Sequence, residues 1–113
     1  MGSGLDDGIN FFNSARYFQA HEAWEDLWRE ERGGLRTFYQ GLVQAAVGMH
    51  HLTHRNLAGA RAQLSKSLSK LDRYPPTVAD LDVETFRRDL RKVLDQLAVG
   101  GTTDIRIQRF RDS

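Results

Sequence analysis

The chain of 113 residues has no cysteine and only two prolines. The first absence excludes disulfides, thiol nucleophiles and thiolate metal sites, and fits a reducing compartment. The second leaves long stretches free to form uninterrupted helices. No apolar run approaches the roughly 20 residues of a membrane span. The opening Met1-Gly2-Ser3-Gly4-Leu5-Asp6-Asp7 is too short and too acidic for a signal peptide, so a cytoplasmic protein with no membrane attachment is expected. Charge of one sign is lacking too, since the net charge is +1. Residues 1 to 56 hold five Arg and Lys against seven Asp and Glu, and residues 57 to 113 hold eleven against eight. That asymmetry is too mild for a dedicated nucleic-acid binder.

What is present reads as helix. Hydrophobic residues make up 40% of the chain and charged residues 27%, which suits one soluble domain with one core. The spacing predicts a short first helix over about 6–14 and a second over 15–31 that leaves through Gly33-Gly34 in a left-handed conformation. A third, central helix is expected over about 35–55. Its stripe of Leu35, Phe38, Leu42, Ala45, Met49 and Leu52 follows the 3,4 repeat, and Gly41 and Gly48 allow a neighbouring backbone to come close. Asn56 is a natural cap for a fourth helix, which Tyr74-Pro75-Pro76 must end. A connector runs to about 81. Asp82 then caps a fifth helix, with Phe86, Leu90 and Leu97 inward and Arg87, Arg88, Arg91 and Lys92 outward, closed by Gly100-Gly101. No strand is expected before residue 102. The fold class is therefore all-α: a compact bundle of about five helices built on an antiparallel hairpin of helices two and three. Residues 1–101 form the domain. Residues 102–113 are a tail that fits a short strand, a docking arm or a flexible end.

One segment breaks the apolar pattern. In His21-Glu22-Ala23-Trp24-Glu25-Asp26-Leu27-Trp28, Tyr17, Phe18, Trp24 and Trp28 all fall within about 60° of His21 around the helix, and Glu25 lies about 40° from His21 in the same ring of aromatics. Burying such groups is costly unless they are paired or hydrogen-bonded. The third helix offers a matching polar seam in Gln40, Gln44 and His51. In an antiparallel hairpin Glu25 is expected nearest Gln40 and Gln44, and His21 nearest Gln44 and His51, giving a buried His-Glu-Gln network. In a catalytic or ligand-binding version of this cluster, burial among the aromatics would raise the Glu25 pKa. Glu22 lies to the side, near Arg29, half exposed.

Metal chemistry is weakly encoded. The zinc-protease helix needs His where Glu25 stands, and the Glu-x-x-His pairs of di-iron bundles are absent, so neither metal nor cofactor is assigned. His21, Glu25 and His51 remain the one triad with suitable ligand types. His50 and His54 read as helix-surface residues.

The run Phe12-Asn13, Tyr17-Phe18-Gln19-Ala20-His21-Glu22, Glu25 and Trp28, then Phe38-Tyr39-Gln40-Gly41-Leu42-Val43-Gln44 and Asn56-Leu57-Ala58-Gly59-Ala60, resembles the domain-of-unknown-function family 309 over about residues 8 to 97. The resemblance implies a small all-helical protein of a kind found in bacteria, archaea and plastids, and supplies no reaction. Its motif positions here are His21, Glu22, Glu25, Trp28, Gln40, Gly41, Gln44, Asn56, Gly59 and Ala60. Val43 stands where isoleucine is common.

The function expected is a non-enzymatic helical module, structural or binding a small ligand or a protein partner, with room for a homo-oligomer. Its site residues are His21, Glu22, Glu25, Trp28, Gln40, Gln44 and His51. Two alternatives are a hydrolase or lyase of a small polar compound, with Glu25 as base and His21 as its partner, metal-assisted or not, and weak nucleic-acid contact through the basic fifth helix and Arg106, Arg109 and Arg111.

Overall fold

Apolar residues recur every third or fourth position along most of the chain, and five helices among the described residues bury those stripes. The computed structural model describes residues 4–99 and residue 107. In chain order the elements are α1 (Gly4–Asn13), α2 (Tyr17–Glu30), α3 (Arg36–Thr53), α4 (Leu57–Leu71), β1 (Thr77–Val78), β2 (Leu81–Asp82) and α5 (Val83–Val99). Each helix packs chiefly against its neighbours in sequence, with α3 shared between α2 and α4. The radius of gyration, 13.0 Å, is that of a folded domain of this length, about 13 Å. No helix among the described residues is long and apolar enough to cross a membrane.

The core is built round Phe12, Trp24, Phe38 and Phe86, all essentially inaccessible. Phe12 contacts Trp24 and Phe86 at ring-centroid distances of 5.6 Å, which joins α1 to α2 and α5. Trp24 lies flat against Gly8, where a Cβ would come within 2.1 Å of the indole Nε1. The α3–α4 seam is equally close. A Cβ on Gly48 would meet Leu64 at 2.7 Å, and the buried Ser67 hydroxyl donates to Gly41 O at 2.7 Å.

The caps on α4 and α5 form as expected. Asn56 Oδ1 accepts from Gly59 N at 2.9 Å, and Asp82 accepts from both Thr85 N (3.0 Å) and Thr85 Oγ1 (2.8 Å). The start of α3 has no such side chain on Leu35. There the Tyr74 hydroxyl substitutes, accepting from Phe38 N at 3.0 Å and donating to Gly34 O at 2.6 Å.

Several expectations are corrected. Helix α2 does not leave through a left-handed glycine: Glu31 is extended, its carboxylate accepts from Gly33 N, and Arg36 Nη1 donates to Trp28 O (2.7 Å) and Glu31 O (3.1 Å). Those bonds satisfy the helix-end carbonyls that a left-handed turn would otherwise serve. Among the described residues the left-handed ones are instead Ala15, Arg55, Ala79 and Asp80. Ala15 and Arg55 end α1 and α3 in turns closed by Arg16 N→Phe11 O (2.8 Å) and Asn56 N→His51 O (2.9 Å).

The 75–81 connector is a small antiparallel hairpin pairing Thr77 with Asp82 and Val78 with Leu81. Both turn residues, Ala79 and Asp80, have positive φ, as a type I′ turn requires. Strands of two residues leave no alternation to read, and Ala-Asp lacks the glycine that announces this turn. Arg87, expected on the outer face, is buried: its guanidinium donates to Leu71 O (2.7 Å), Tyr74 O (2.9 Å) and Glu84 Oε1 (2.8 Å). It ties the end of α4 to α5. The expectations for 100–106 and 108–113 lie outside the described residues.

Candidate functional site

The α2–α3 hairpin has its two-fold centre near Gly34. Phe18 and His50 stand equally far from it along the chain, as do His21 and Val47, and these four residues line one cleft of about 190 Å³. The Phe18 ring lies 5.5 Å from the His21 ring and 5.7 Å from the His50 ring, centre to centre, and is 50% exposed. The accessible lining is almost wholly apolar. A large aromatic left half in water over a concave apolar surface is the unusual feature here.

His21 and Glu25 do come together. His21 Nε2 lies 3.2 Å from Glu25 Oε1, one helical turn away, and the other carboxylate oxygen is 3.4 Å from Arg29 Nη2. Neither side chain is sealed, with 23% and 29% of their surfaces exposed. Both carboxylate oxygens thus face a donor, and Glu25 is not among the residues that line the cleft. With Nε2 turned to the carboxylate, a neutral His21 keeps its proton there and leaves Nδ1 as an acceptor. That Nδ1 is buried with no hydrogen-bond partner among the described residues, and so is Gln44 Oε1.

The expected cross-helix network is therefore not the one that forms. Counting outward from Gly34, Gln44 stands opposite Trp24, and Gln40 stands opposite Trp28. His51 turns away from the seam: its Nδ1 lies 3.3 Å from Asn56 Nδ2, at the α3–α4 turn. The triad His21, Glu25 and His51 is consequently not assembled, and no group of three His, Cys, Asp or Glu stands at metal-binding spacing among the described residues. Glu22 is exposed, and Arg29 pairs with Glu25 and Asp26 in its place. Trp28 serves the hairpin turn, with the Arg36 guanidinium 4.6 Å above its ring.

His50 is the site residue that the sequence pattern passed over. Its ring is 4.3 Å from that of His54 and 6.4 Å from that of His51, so all four histidines of the chain gather along this end of the hairpin. Burial holds the His50 imidazole below its ordinary 6.5, and the charges of His54, His51 and His21 push in the same direction. The signal that finds it is the equal count from Gly34 to Phe18 and to His50.

A second hollow, of about 350 Å³ between α1 and α2, carries Asp7, Asp26 and Glu30 above Phe11 and Leu27. None of the expected site residues reaches it. On α5, Arg87 is consumed inside the fold and Arg91 Nη2 binds Asp72 Oδ1 at 2.7 Å, which leaves Arg88 and Lys92 from the proposed phosphate-binding face.

Comparison with known proteins adds kinship without chemistry. The family described as domain of unknown function 309 matches over residues 5–63, from α1 into α4. An uncharacterized protein of Bacillus subtilis strain 168, YpuF, is 30% identical over 84 residues, covering 74% of this chain and 48% of that protein. An uncharacterized protein of Aquifex aeolicus strain VF5 is 22% identical over 99 residues, covering 84% of this chain and 29% of the relative. The chain thus spans about half the length of the first relative and less than a third of the second.

Proposed function

The chain belongs to the domain-of-unknown-function family 309, and from that footing we propose that it is a non-enzymatic helical binding module whose α2–α3 cleft takes a flat apolar group carrying one hydrogen-bond donor. The observation that supports this is the cleft lining: half-exposed Phe18 over Val47 and His50, with His21 Nδ1 lacking a partner among the described residues. Apolar walls with one or two convergent polar atoms are the usual composition of a small-ligand site. A ring between Phe18 and Val47 would bury surface on both sides, at about 25 cal/mol per Å². A small rotation of His21 would bring its acceptor to the ligand's donor. The Glu25 pair fixes which nitrogen that is.

A hydrolase working through Glu25 would need that carboxylate in the cleft, where it is not. Titration of the ¹⁵N-labelled protein with indole tests the binding reading. Amide shifts are expected at Phe18, His21, Val47 and His50, with N-methylindole, which lacks the donor, binding several-fold more weakly. Shifts centred elsewhere, or equal affinity for both compounds, would refute it.

A further inference from the structure

Acidic and basic residues are segregated along the chain far more sharply than its net charge suggests. Residues 4–31, from α1 to the end of α2, hold seven Asp and Glu against two Arg, whereas residues 32–71, which carry α3 and α4, hold six Arg and Lys and no acid at all. The fold keeps the two blocks apart, because α2 and α4 flank α3. On α4 the crest turned to solvent is short: Ala58, Ala62, Ser65 and Ser69 are all exposed within about 60° around the helix, and Arg61 and Lys66 stand about 70° to either side. Lys70 and Arg73 continue the Lys66 side. None of these four cations has an ion pair among the described residues, and nearby Asp72 is taken by Arg87 and Arg91. Burial, and then the charges of Arg73 and Lys66, hold the Lys70 ammonium below its ordinary 10.5.

The counterpart is the hollow of about 350 Å³ between α1 and α2. Its floor is apolar, made by the half-buried Phe11, Ala23 and Leu27, and both walls are acidic, with Asp7 on α1 and Asp26 and Glu30 on α2. Asp7 and Glu30 have no ion pair among the described residues, and Asp26 has Arg29 at 3.6 Å, an arginine it shares with Glu25. An apolar centre inside a charged rim is the anatomy of a protein interface. We propose that the outer face of α4 docks, parallel to α2, in the α1–α2 groove of a second copy of this chain, with Lys66 and Lys70 facing Asp26 and Glu30, Arg61 facing Asp7, and the methyls of Ala58 and Ala62 over Phe11 and Ala23. The spacings agree. Each lysine and each acid of the α2 wall lies four residues from its fellow, about 6 Å at 1.5 Å per residue. Counting outward from Ala15, Asp7 is level with Ala23, three residues before Asp26, and Arg61 is five before Lys66, so the arginine meets the other wall within about 3 Å of the acid's height. The two surfaces differ, so the contact is heterologous and each docked copy keeps one of them free. The groove is a different surface from the α2–α3 cleft and does not depend on what that cleft binds.

Sedimentation of the full chain at low salt tests this. The average mass should rise with concentration beyond that of the monomer and return to it in about 1 M salt, where screening acts within roughly 3 Å. Lys66→Glu/Lys70→Glu and Asp26→Lys/Glu30→Lys should each weaken self-association roughly tenfold or more, since like charges then meet. Mixed in equal amounts, the two variants should associate again, because the reversed α4 of the first meets the reversed groove of the second. A wild-type chain that stays monomeric at low salt, a variant that self-associates like the wild type, or a mixture that stays monomeric overturns the proposal. So does a monomeric chain that instead retains a labelled oligonucleotide through Lys66 and Lys70, which would assign α4 to a polyanion. Should either variant lose its helices, the wild-type protein decides. Zero-length carbodiimide cross-linking of mixed ¹⁴N and ¹⁵N chains should join Asp26 or Glu30 of one copy to Lys66 or Lys70 of another, and cross-links that never mix isotopes, or that join other segments, overturn it equally.

Discussion

Replacing Arg87 by methionine keeps a long apolar stem in the core and removes only the guanidinium. The loss can be worked out from its partners. Glu84 and Asp72 are about half exposed, so each returns to water and forfeits little of its screened attraction. The backbone carbonyls are different. Leu71 O receives a charged N–H at 2.7 Å in a buried setting, and Tyr74 O receives another at 2.9 Å. A hydrogen bond to a charged donor contributes about 1.5 to 3 kcal/mol, and Leu71 O, which also accepts from Tyr74 N at 3.1 Å, keeps that one donor when the guanidinium is gone. Tyr74 O is only partly buried and recovers some of its loss through water. The expected destabilisation is roughly 3 kcal/mol, read as a lower urea midpoint at unchanged m. Arg87→Lys, with one compact ammonium in place of the fork, should recover about half. The Glu84 carboxyl, held below its ordinary range first by the Arg87 hydrogen bond, should titrate higher in the methionine variant. A depressed folded-state pKa gives stability that is present above the unfolded value and lost as pH falls through the folded one, so this acid-side loss should flatten. A methionine variant within about 1 kcal/mol of wild type would refute the view that these carbonyls depend on Arg87.

Ala15→Gly and Arg55→Gly each relieve a left-handed residue at a helix end. Net of the added freedom of the unfolded chain, each should stabilise by about 0.5 kcal/mol, a rise of about 2 °C in Tm by calorimetry. Gly8→Ala drives a Cβ into the Trp24 indole. It should destabilise by at least about 2 kcal/mol in urea titration, despite the better helix propensity of alanine. Tyr74→Phe removes the hydroxyl joining Phe38 N to Gly34 O and should cost about 1 to 2 kcal/mol in the same assay. For His50 the folded state resists protonation, so the unfolded chain binds more protons and stability falls as pH drops below the ordinary 6.5. His50→Gln should flatten thermal melts compared between pH 7 and pH 5, whereas a variant with the wild-type slope would remove His50 as the cause.

The helices were legible because their signals are local. The stripe from Phe38 to Met49 is buried as its spacing requires, and the Asn56 and Asp82 caps need only residues three positions away. Arg87 was not legible for the opposite reason. Its outward reading follows from helix α5 alone, whereas its inward turn depends on where α4 exposes the carbonyl of Leu71. The same holds for the end of α2. A glycine pair predicts a left-handed exit, but Arg36, from the next helix, already supplies the carbonyls with donors.

The site divides along the same line. The His21–Glu25 pair is one turn of one helix and is readable without a fold. Its neighbours on α3 require two further quantities, the height of each residue along the hairpin and the rotation of α3 about its own axis. Height is given by counting from Gly34 and brings Phe18 level with His50. Rotation is not, because adjacent residues differ by about 100° around a helix. His50 and His51 are adjacent, and that single step sends one into the cleft with Phe18 and the other to Asn56 at the α3–α4 turn. What sets the rotation is packing on the far side, where Gly41 and Gly48 seat α3 against Leu71 and Leu64. A larger residue at Gly48 would therefore act on the cleft from the opposite face of the helix, by turning α3 and carrying His50 away from Phe18. Gly48→Ala should accordingly weaken indole binding along with stability, whereas Ala60→Gly, which removes a buried methyl from α4 without pushing on α3, should lower stability and leave the affinity of the folded protein unchanged. Equal effects of the two variants on affinity would show that the glycine face does not control the cleft.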